Sequence, residues 1–425
     1  MTTISPTIEA ETPATPALAP VAERKRVSWG VIIFCLLCGL IYRYSAREPA
    51  TYYDYPLRTA EAFLDGQLGY TGEPPAFLNE MIYLPEHSCY TNGFPLGQTL
   101  TALPFAWLKK HGWISAWRVE WLVALSMAWA AWWAVGLARH AGMGTVRSCW
   151  LAASLLFGTW AWTNIAAYDA WQIALGLGFA WELGALHALI VRRDPLMCGI
   201  WFAMAFGQRT EIVTLAPLMV WLWWHISMPD ERKRWLDSGI RFCLAPFVLG
   251  VLTLAYNYVR FHKATDFGHS HVPHTLGTEL YKYGIFAFEP EYWMRNFHVM
   301  FMKPWNSYHG LLGVVPDRFG CSIFIASPLL FLLLRWRKTG TRTVEAICWL
   351  ALAILIVPLY CHGDPGCGQY GYRYGLPFLP WIYLLLLRTC NPARNTMVET
   401  TLIALSIAIN AYATYIFRWT KIGFE

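Results

Sequence analysis

The stretch that decides the fold lies between the first two strongly apolar segments. It reads RYSAREPATYYDYPLRTAEAFLDGQLGY over residues 43–70 and TGEPPAFLNEMIYLPEHSCYTNGFPLGQTLTALPFAWLKKHGW over residues 71–113. Within it, Asp54 stands among Tyr52, Tyr53 and Tyr55, a dozen residues after Tyr42 ends an apolar run. A carboxylate beside aromatic rings at a membrane surface is typical of a site for a lipid-borne substrate. The remaining apolar segments are then the scaffold that carries this loop.

The composition is that of an integral membrane protein. Of the 425 residues, 56% are hydrophobic and 14% are charged, whereas a soluble domain carries about 25% charged residues. The 24 Trp and 22 Tyr residues fit aromatic belts at the two membrane interfaces. The net charge of +6 comes from short basic clusters between apolar runs, and we therefore expect it to set membrane topology, with no nucleic-acid partner.

Eleven apolar segments predict an all-α polytopic membrane protein with about 11 transmembrane helices, since a crossing needs about 20 apolar residues. They form one transmembrane domain over residues 27–425, after a Pro-, Thr- and Ala-rich tail over residues 1–26 that is too polar to pack and is predicted to be disordered and cytoplasmic. The segments span residues 27–42, 116–138, 148–163, 170–191, 196–206, 212–226, 239–259, 319–334, 344–360, 375–387 and 398–417.

The topology depends on one further apolar stretch, Pro95 to Leu108, which is short for a crossing. If it lies flat on the outer face, every basic cluster that separates the helices falls on the cytoplasmic side. If it crosses, most of those clusters fall outside. The positive-inside rule favours the flat, juxtamembrane placement, with residues 43–115 and 260–318 as two large extracytoplasmic loops. The clusters are Arg24–Arg26, Arg139/Arg147, Arg192–Arg193, Arg232–Arg234, Arg335–Arg342 and Arg388/Arg394.

Two aspartates are candidate catalytic residues on the predicted outer face. Asp54 can act as a general base, which needs a carboxylate within hydrogen-bond reach of a hydroxyl; the alternative is a solvated loop residue. Asp169 follows Tyr168 at the mouth of a predicted helix. It either shares the cavity of Asp54 or caps that helix.

Cations and an acidic partner supply candidate binding residues. Arg209 and Glu211 interrupt two apolar runs, where charges are costly, so they either serve a function or pair with each other. Arg373, in QYGYRY, can clamp a phosphate with its planar guanidinium or anchor a helix at the interface. Tyr53 and Lys303 are further candidates for lining the same cavity.

Metal and disulfide chemistry have weaker support in the sequence. His269, His271 and His274 lie within six residues, but no fourth ligand has a recognisable spacing. No Asp-x-Asp pair is present to hold a divalent cation on a nucleotide sugar, so we expect neither a metal nor another cofactor. Cys361 and Cys367 flank a short outer loop in which a disulfide is possible.

The chain resembles the GT-C superfamily of membrane glycosyltransferases, and within it the protein O-mannosyltransferase and aminoarabinose-transferase-like group (glycosyltransferase family 39 style). The likeness rests on Asp54 in the first outer loop, the AEAFLDG motif at residues 60–66, and FPLGQ at residues 94–98. GYRY at residues 371–374 resembles a later element of bacterial members. Where the group often has Asp-Glu, this chain has Asp54-Tyr55.

The resemblance implies an inverting glycosyltransferase that moves a sugar from a polyprenyl-phosphate donor to a hydroxyl of an extracytoplasmic glycan, lipid or protein. It implies Asp54 as the catalytic carboxylate, Asp169 as a second acid, and a location in a bacterial inner membrane with the site facing outward. A multi-pass transporter of a polar or lipid-linked solute is the alternative. Against it stands the absence of a recognisable inverted repeat. A third hypothesis is a membrane protein with a structural role.

The predicted topology can be tested with fusion reporters. We expect a reporter after Glu425 and a tag at Lys109–Lys110 both to be extracytoplasmic, because this arrangement keeps the basic clusters inside. Protease protection in sealed vesicles measures both positions. A cytoplasmic signal after Glu425 would contradict the eleven-span arrangement, and a cytoplasmic tag at Lys109–Lys110 would show that residues 95–108 cross the membrane.

Overall fold

The computed structural model describes residues 28–46, 53–273, 276–308, 313–335 and 342–420. Almost all regular structure in these ranges is helical. The helices are α1 (Trp29–Arg43), α2 (Tyr55–Leu64), α3 (Leu96–Lys110), α4 (Val119–His140), α5 (Thr145–Phe157), α6 (Ala161–Ile165), α7 (Ala170–His187), α8 (Pro195–Gln208), α9 (Ala216–Ile226), α10 (Pro229–Lys233), α11 (Trp235–Phe261), α12 (Pro290–Phe297), α13 (Ile323–Ala326), α14 (Arg342–Tyr360), α15 (Leu379–Thr389) and α16 (Met397–Trp419).

Short 3₁₀ and π helices and two short antiparallel hairpins make up the other regular structure of the described ranges, and the sequence did not predict the hairpins. Strands β1 (Ile82–Leu84) and β2 (Cys89–Thr91) pair in the first loop, with Tyr83 opposite Tyr90. Strands β3 (Asn306–Ser307) and β4 (Val314–Val315) pair in the second.

The protein is an all-α, multi-pass membrane protein by the length and composition of its helices. Five described helices are long and apolar enough to cross a bilayer: α4, α7, α11, α14 and α16. Helix α7 is counted together with the π-helix Ala188–Arg192 that extends it. Helices α1, α5 and α8 are shorter and apolar. The remaining predicted segments at 212–226, 319–334 and 375–387 combine 3₁₀ and α-helical turns, so the count of eleven spans stays a prediction.

Proline accounts for two of these mixed segments. The 3₁₀ helix Pro328–Leu334 begins at a proline directly after α13, and the 3₁₀ helix Arg373–Phe378 contains Pro377 just before α15. Proline lacks a backbone N–H and clashes with the preceding helical turn, so a continuous α-helix is disfavoured at these points.

Helix α7 is the centre of the bundle. In its apolar window 94% of the residues are buried, compared with 11% in that of α11, which packs mainly against α8 at the periphery. Helices α4, α8 and α15 pack around α7. A helix that is apolar on all sides, as α7 is, suits this central position.

Glycines allow neighbouring backbones to approach closely. A Cβ built on Gly199 of α8 would lie 2.1 Å from the carbonyl oxygen of Phe242 in α11. A Cβ on Gly97 of α3 would lie 2.5 Å from the backbone of Gly207 in α8. Small residues at such crossings are typical of helix packing in membranes, where contact between helices depends on close fit.

An ion pair between two helix ends indicates on which face of the membrane α4 begins. Arg43 at the end of α1 lies 3.4 Å from Glu120 in the first turn of α4. The chain between them, including α3, therefore returns to the face at which α1 ended. This contact supports the juxtamembrane placement of α3, because a crossing α3 would have moved the start of α4 to the opposite face.

Basic residues of several predicted cytoplasmic clusters meet elsewhere in the bundle. Arg147 and Arg335 lie 3.4 Å and 3.6 Å from the buried carboxylate of Glu399, and Arg388 bonds Glu345 at 3.0 Å. Two clusters that are distant in sequence thus share the carboxylate of Glu399 on α16, and a third pairs with Glu345 on α14, as expected if they lie on one side of the membrane.

Substitution at a glycine contact tests the packing of α8 on α11. We expect Gly199→Ala to lower the free energy of unfolding by about 1–3 kcal/mol, the usual cost of overpacking, because a methyl group would overlap the carbonyl of Phe242. Gly250→Ala on α11 is the matched control, since a Cβ there meets no atom within 4 Å. Denaturant titration in detergent measures both; equal stability of the two variants would contradict the close contact.

Candidate functional site

Three buried amides hold the loop that follows α14, residues 361–373. The amide group of Asn164 in α6 donates to the carbonyl of Tyr370 at 2.7 Å and accepts from its N–H at 3.1 Å. Asn296 of α12 donates to the carbonyl of His362 at 2.9 Å and accepts from the hydroxyl of Tyr372 at 2.8 Å. Because each amide uses both its donor and its acceptor on the loop, these bonds favour one loop conformation.

The third amide positions Arg373. The Oε1 atom of Gln369 accepts from the backbone N–H of Arg373 at 2.9 Å. Arg373 as a whole is 7% exposed; Nη1 donates to the carbonyl of Cys367 at 2.7 Å and Nη2 to the hydroxyl of Tyr374 at 3.1 Å. Its Nε has no hydrogen-bond partner. No ion pair of the described chain includes Arg373, so its charge is not neutralised by direct contact with a carboxylate.

A second arginine contacts the same aromatic ring. The guanidinium carbons of Arg373 and Arg209 lie 5.0 Å and 5.6 Å from the centre of the Tyr374 ring. Arg209 is held at 2.6 Å by Glu211, so the predicted alternative of mutual pairing is what the structure contains for these two residues. Tyr374 therefore lies between one paired and one unpaired cation.

A carboxyl group that the sequence analysis did not select also lies in this region. The Nε1–H of Trp171, in the first turn of α7, donates to Glu80 at 3.1 Å, and the ring of Tyr53 lies 4.8 Å from that of Trp171. Burial raises the pKa of Glu80 to about 7, opposed by the Trp171 bond and by the charge of Arg373. A carboxyl with this pKa exchanges protons near neutral pH.

Of the two predicted catalytic aspartates, Asp169 has the placement that better suits proton transfer near Arg373. It occupies the N-cap position of α7, but its side chain makes no capping hydrogen bond. Burial raises the pKa of Asp169 to about 6, against the charges of Arg418 and Arg373. The same negative charge raises the pKa of Tyr53, after the larger effect of burial. Asp169, Glu80 and Arg373 therefore belong to one electrostatic cluster.

Asp54 is paired with an arginine of its own helix. Its Oδ1 accepts from Nε of Arg58 at 2.7 Å, and burial raises its pKa while Arg58 opposes that effect. It lines a narrow cleft with Gln98, Trp117 and Ala170 between α2, α3, α4 and α7. Asp54 is thus partly buried beside the cluster, and an arginine already occupies one of its oxygens.

The other predicted candidates have partners of their own. Lys303 lies 3.2 Å from Asp317 and near the ring of Phe319. Its link to Arg373 is indirect, because the carbonyl of Phe319 accepts from Gln369, which in turn bonds Arg373. Cys361 and Cys367 are both free thiols.

The histidines of the second loop do not assemble a metal site within the described residues. His271 bonds Asp266 at 3.0 Å and stacks on Phe261, while His269 lies 6.1 Å from the ring of Phe286. No group of three or more ligand-type side chains is present in the part of the chain that the structure describes. His274 lies outside those residues.

Two acidic residues of the cluster were missed for a simple reason. Glu80 lies in a loop without helical or strand periodicity, and Asp364 lies in the turn Asp364-Pro365-Gly366, so both read as solvated loop positions. Asp364 interacts electrostatically with Glu80 and with Arg373. Their location could have pointed to them in the sequence, because both lie in segments predicted to face outward beside aromatic residues.

The environment of Glu80 predicts a pH-dependent contribution to stability. The pKa of Glu80 in the folded protein is above its ordinary value of 4.5. The wild-type protein therefore loses stability as the pH rises from about 4.5 through about 7, because the buried carboxyl becomes ionised. Relative to wild type, Glu80→Gln should therefore gain stability over that range, by at most about 3 kcal/mol. Denaturant titrations across the pH series test this, with Glu73→Gln, a more exposed residue of the same loop, as control. A difference between wild type and Glu80→Gln that is independent of pH would contradict the burial of this group.

Comparison with known proteins found no matching family model, no matching curated protein and no matching solved structure. The function of the cluster must accordingly be argued from its chemistry.

Proposed function

We propose that the protein is an inverting glycosyltransferase that uses a polyprenyl-phosphate sugar as donor and an extracytoplasmic hydroxyl as acceptor. The observation that carries the proposal is Arg373, a buried guanidinium without a carboxylate in direct contact, close to two carboxyl groups of raised pKa. A buried cation of this kind is suited to a phosphate, and a carboxylate titrating near pH 6 is suited to accepting a proton.

The reaction needs three functions at neighbouring positions. The acceptor oxygen attacks the anomeric carbon of the sugar, and its proton passes to a base. The bond between the anomeric carbon and the phosphate oxygen breaks, and the polyprenyl phosphate leaves with the electron pair of that bond. Arg373 stabilises the charge that develops on the phosphate, a type of contribution worth roughly 2.7–4 kcal/mol where a single oxyanion donor has been removed.

We assign the role of base to Asp169 and not to Asp54. Asp169 lies within electrostatic range of Arg373 and makes no capping bond, whereas Asp54 is held by Arg58 at 2.7 Å. Asp54 remains the residue that the resemblance implies, and the experiment below separates the two assignments. In our proposal the Asp54–Arg58 pair positions the acceptor.

In our proposal the lipid chain of the donor lies in a shallow groove between α1 and α16. The groove has a volume of about 340 Å³ and is lined by Tyr44, Trp162, Tyr415 and Trp419 among others. Arg418 follows this lining on α16 and interacts electrostatically with Asp169. We place the lipid chain in this groove with its phosphate-bearing end at the carboxylate and cation cluster.

One observation favours transport as the second candidate. Glu182 is fully buried within α7; Oε1 accepts from the Nε1–H of Trp381 at 2.6 Å, and Oε2 has no partner. Intramembrane carboxylates without a cation are found in proton-coupled transporters. Uptake of labelled solutes into proteoliposomes, driven by a proton gradient and lost in Glu182→Gln, would favour this function.

The test of glycosyl transfer uses protein in nanodiscs with a panel of synthetic polyprenyl-phosphate hexoses and pentoses. Formation of free polyprenyl phosphate in the presence of a cell-envelope acceptor fraction measures turnover. We expect Asp169→Asn to lower kcat roughly 10²–10⁴-fold, because the base is lost while the shape is kept. Arg373→Lys should lose rate although the charge is kept, because the planar fork is gone.

Controls and the pH profile make the result specific. Asp230→Asn and Arg241→Lys change exposed residues far from the cluster in sequence and should retain wild-type turnover. If Asp169 is the base, kcat/KM should fall as pH drops below about 6. Full activity of Asp169→Asn with loss in Asp54→Asn would transfer the role of base to Asp54. No turnover with any donor would argue against the proposed function.

A further inference from the structure

The segment around α12 carries exposed apolar side chains on the outside of the second loop. Phe288, Met294 and Met302 are 76%, 65% and 60% exposed. On the other side of the same helix, Tyr292 and Asn296 are fully buried against the protein. Exposed apolar surface of this kind commonly marks a site of contact with a protein or a membrane.

Contacts of α12 fix its depth relative to a spanning helix. Trp293 packs at 5.5 Å on Tyr360, the last residue of α14. Arg295 and Asn296 donate to the carbonyls of Gly363 and His362, just beyond that end, at 2.8 Å and 2.9 Å. The end of a membrane-spanning helix lies at the boundary between hydrocarbon and headgroups, so α12 lies at that boundary as well.

The apolar surface of α12 is continuous with that of a predicted membrane segment. Rings of Phe297, Phe301, Phe324 and Phe331 follow one another at centroid distances of 5.1 Å, 5.9 Å and 5.4 Å. We call these four residues the phenylalanine ladder. It begins on α12 and ends in Pro328–Leu334, within the segment predicted to cross the bilayer. The lipid that surrounds its lower end is therefore the natural neighbour of its upper end.

The arrangement of charged side chains on α12 agrees with a position at the membrane boundary. Helical spacing places Glu291 and Arg295 along one edge of the exposed face, and Trp293 and Phe297 along the other. Glu291 is neutralised by Arg295 at 2.8 Å and by Lys282 at 2.6 Å. A helix with one polar edge and one aromatic edge is typical of a helix lying in the plane of a membrane interface.

We propose that α12, with Phe288 before it, lies in the outer headgroup region with Met294 and Phe297 in contact with lipid, and that it acts as a depth anchor for the site loop. Asn296 on its buried face holds His362 and Tyr372, so the depth of α12 sets the height of residues 361–373 above the hydrocarbon. The inference rests on surface and contacts, and is independent of the reaction that the site carries out.

Site-specific photocrosslinking tests this contact. Full-length protein carrying p-benzoylphenylalanine at Met294 is reconstituted in nanodiscs with radiolabelled phosphatidylethanolamine and irradiated. Glu291, on the polar edge of the same helix, is the matched control position. We expect severalfold more lipid label on the Met294 variant than on the Glu291 variant.

Two results would overturn the proposal. One is equal lipid labelling at Met294 and Glu291. The other is crosslinking of Met294 to a second polypeptide in place of lipid, which would make this face a protein interface. If the Met294 variant fails to elute as folded protein, the same comparison at Phe288, which lies outside the helix, decides the question in the same way.

Discussion

The structure of the site depends on the pairing of buried amide side chains with the backbone of residues 361–373. A buried amide that loses its partner costs about 1–3 kcal/mol, so Asn164, Asn296 and Gln369 each favour one loop conformation over its alternatives. The three come from α6, from α12 and from the loop itself. Because Asn164 bonds both the N–H and the carbonyl of Tyr370, it acts on this loop much as a neighbouring strand would.

The fixed loop places one cation near groups from distant parts of the chain. Arg373 meets Tyr374 and, through it, Arg209, while the carboxyls of Glu80 and Asp169 come from the first loop and the start of α7. Burial and charge act in opposite directions on these carboxyls. Burial is the larger effect at both, which is why their pKa values lie near neutral pH although a guanidinium is close.

In the proposed function, chemistry on a lipid-borne substrate takes place at a membrane surface. A groove lies between α1 and α16, and α12 packs against the end of α14. In the proposed arrangement a lipid chain stays in hydrocarbon while its polar end reaches Arg373. The phenylalanine ladder and the buried face of α12 then connect the level of the bilayer to the loop that presents that arginine.

The sequence by itself determined the membrane class and the approximate positions of the apolar helices, because hydrophobic runs are local signals of membrane insertion. It also selected Arg373, Asp169 and the Arg209–Glu211 pair as candidates, since a charge beside an apolar run is conspicuous. Tertiary structure decided which of these residues meet. It pairs Asp54 with Arg58 and Lys303 with Asp317, and it brings in Glu80 and Asp364 from loops that have no recognisable sequence pattern. Such pairings join residues far apart in the chain, and they follow from how the helices and loops pack, which no local pattern in the sequence encodes.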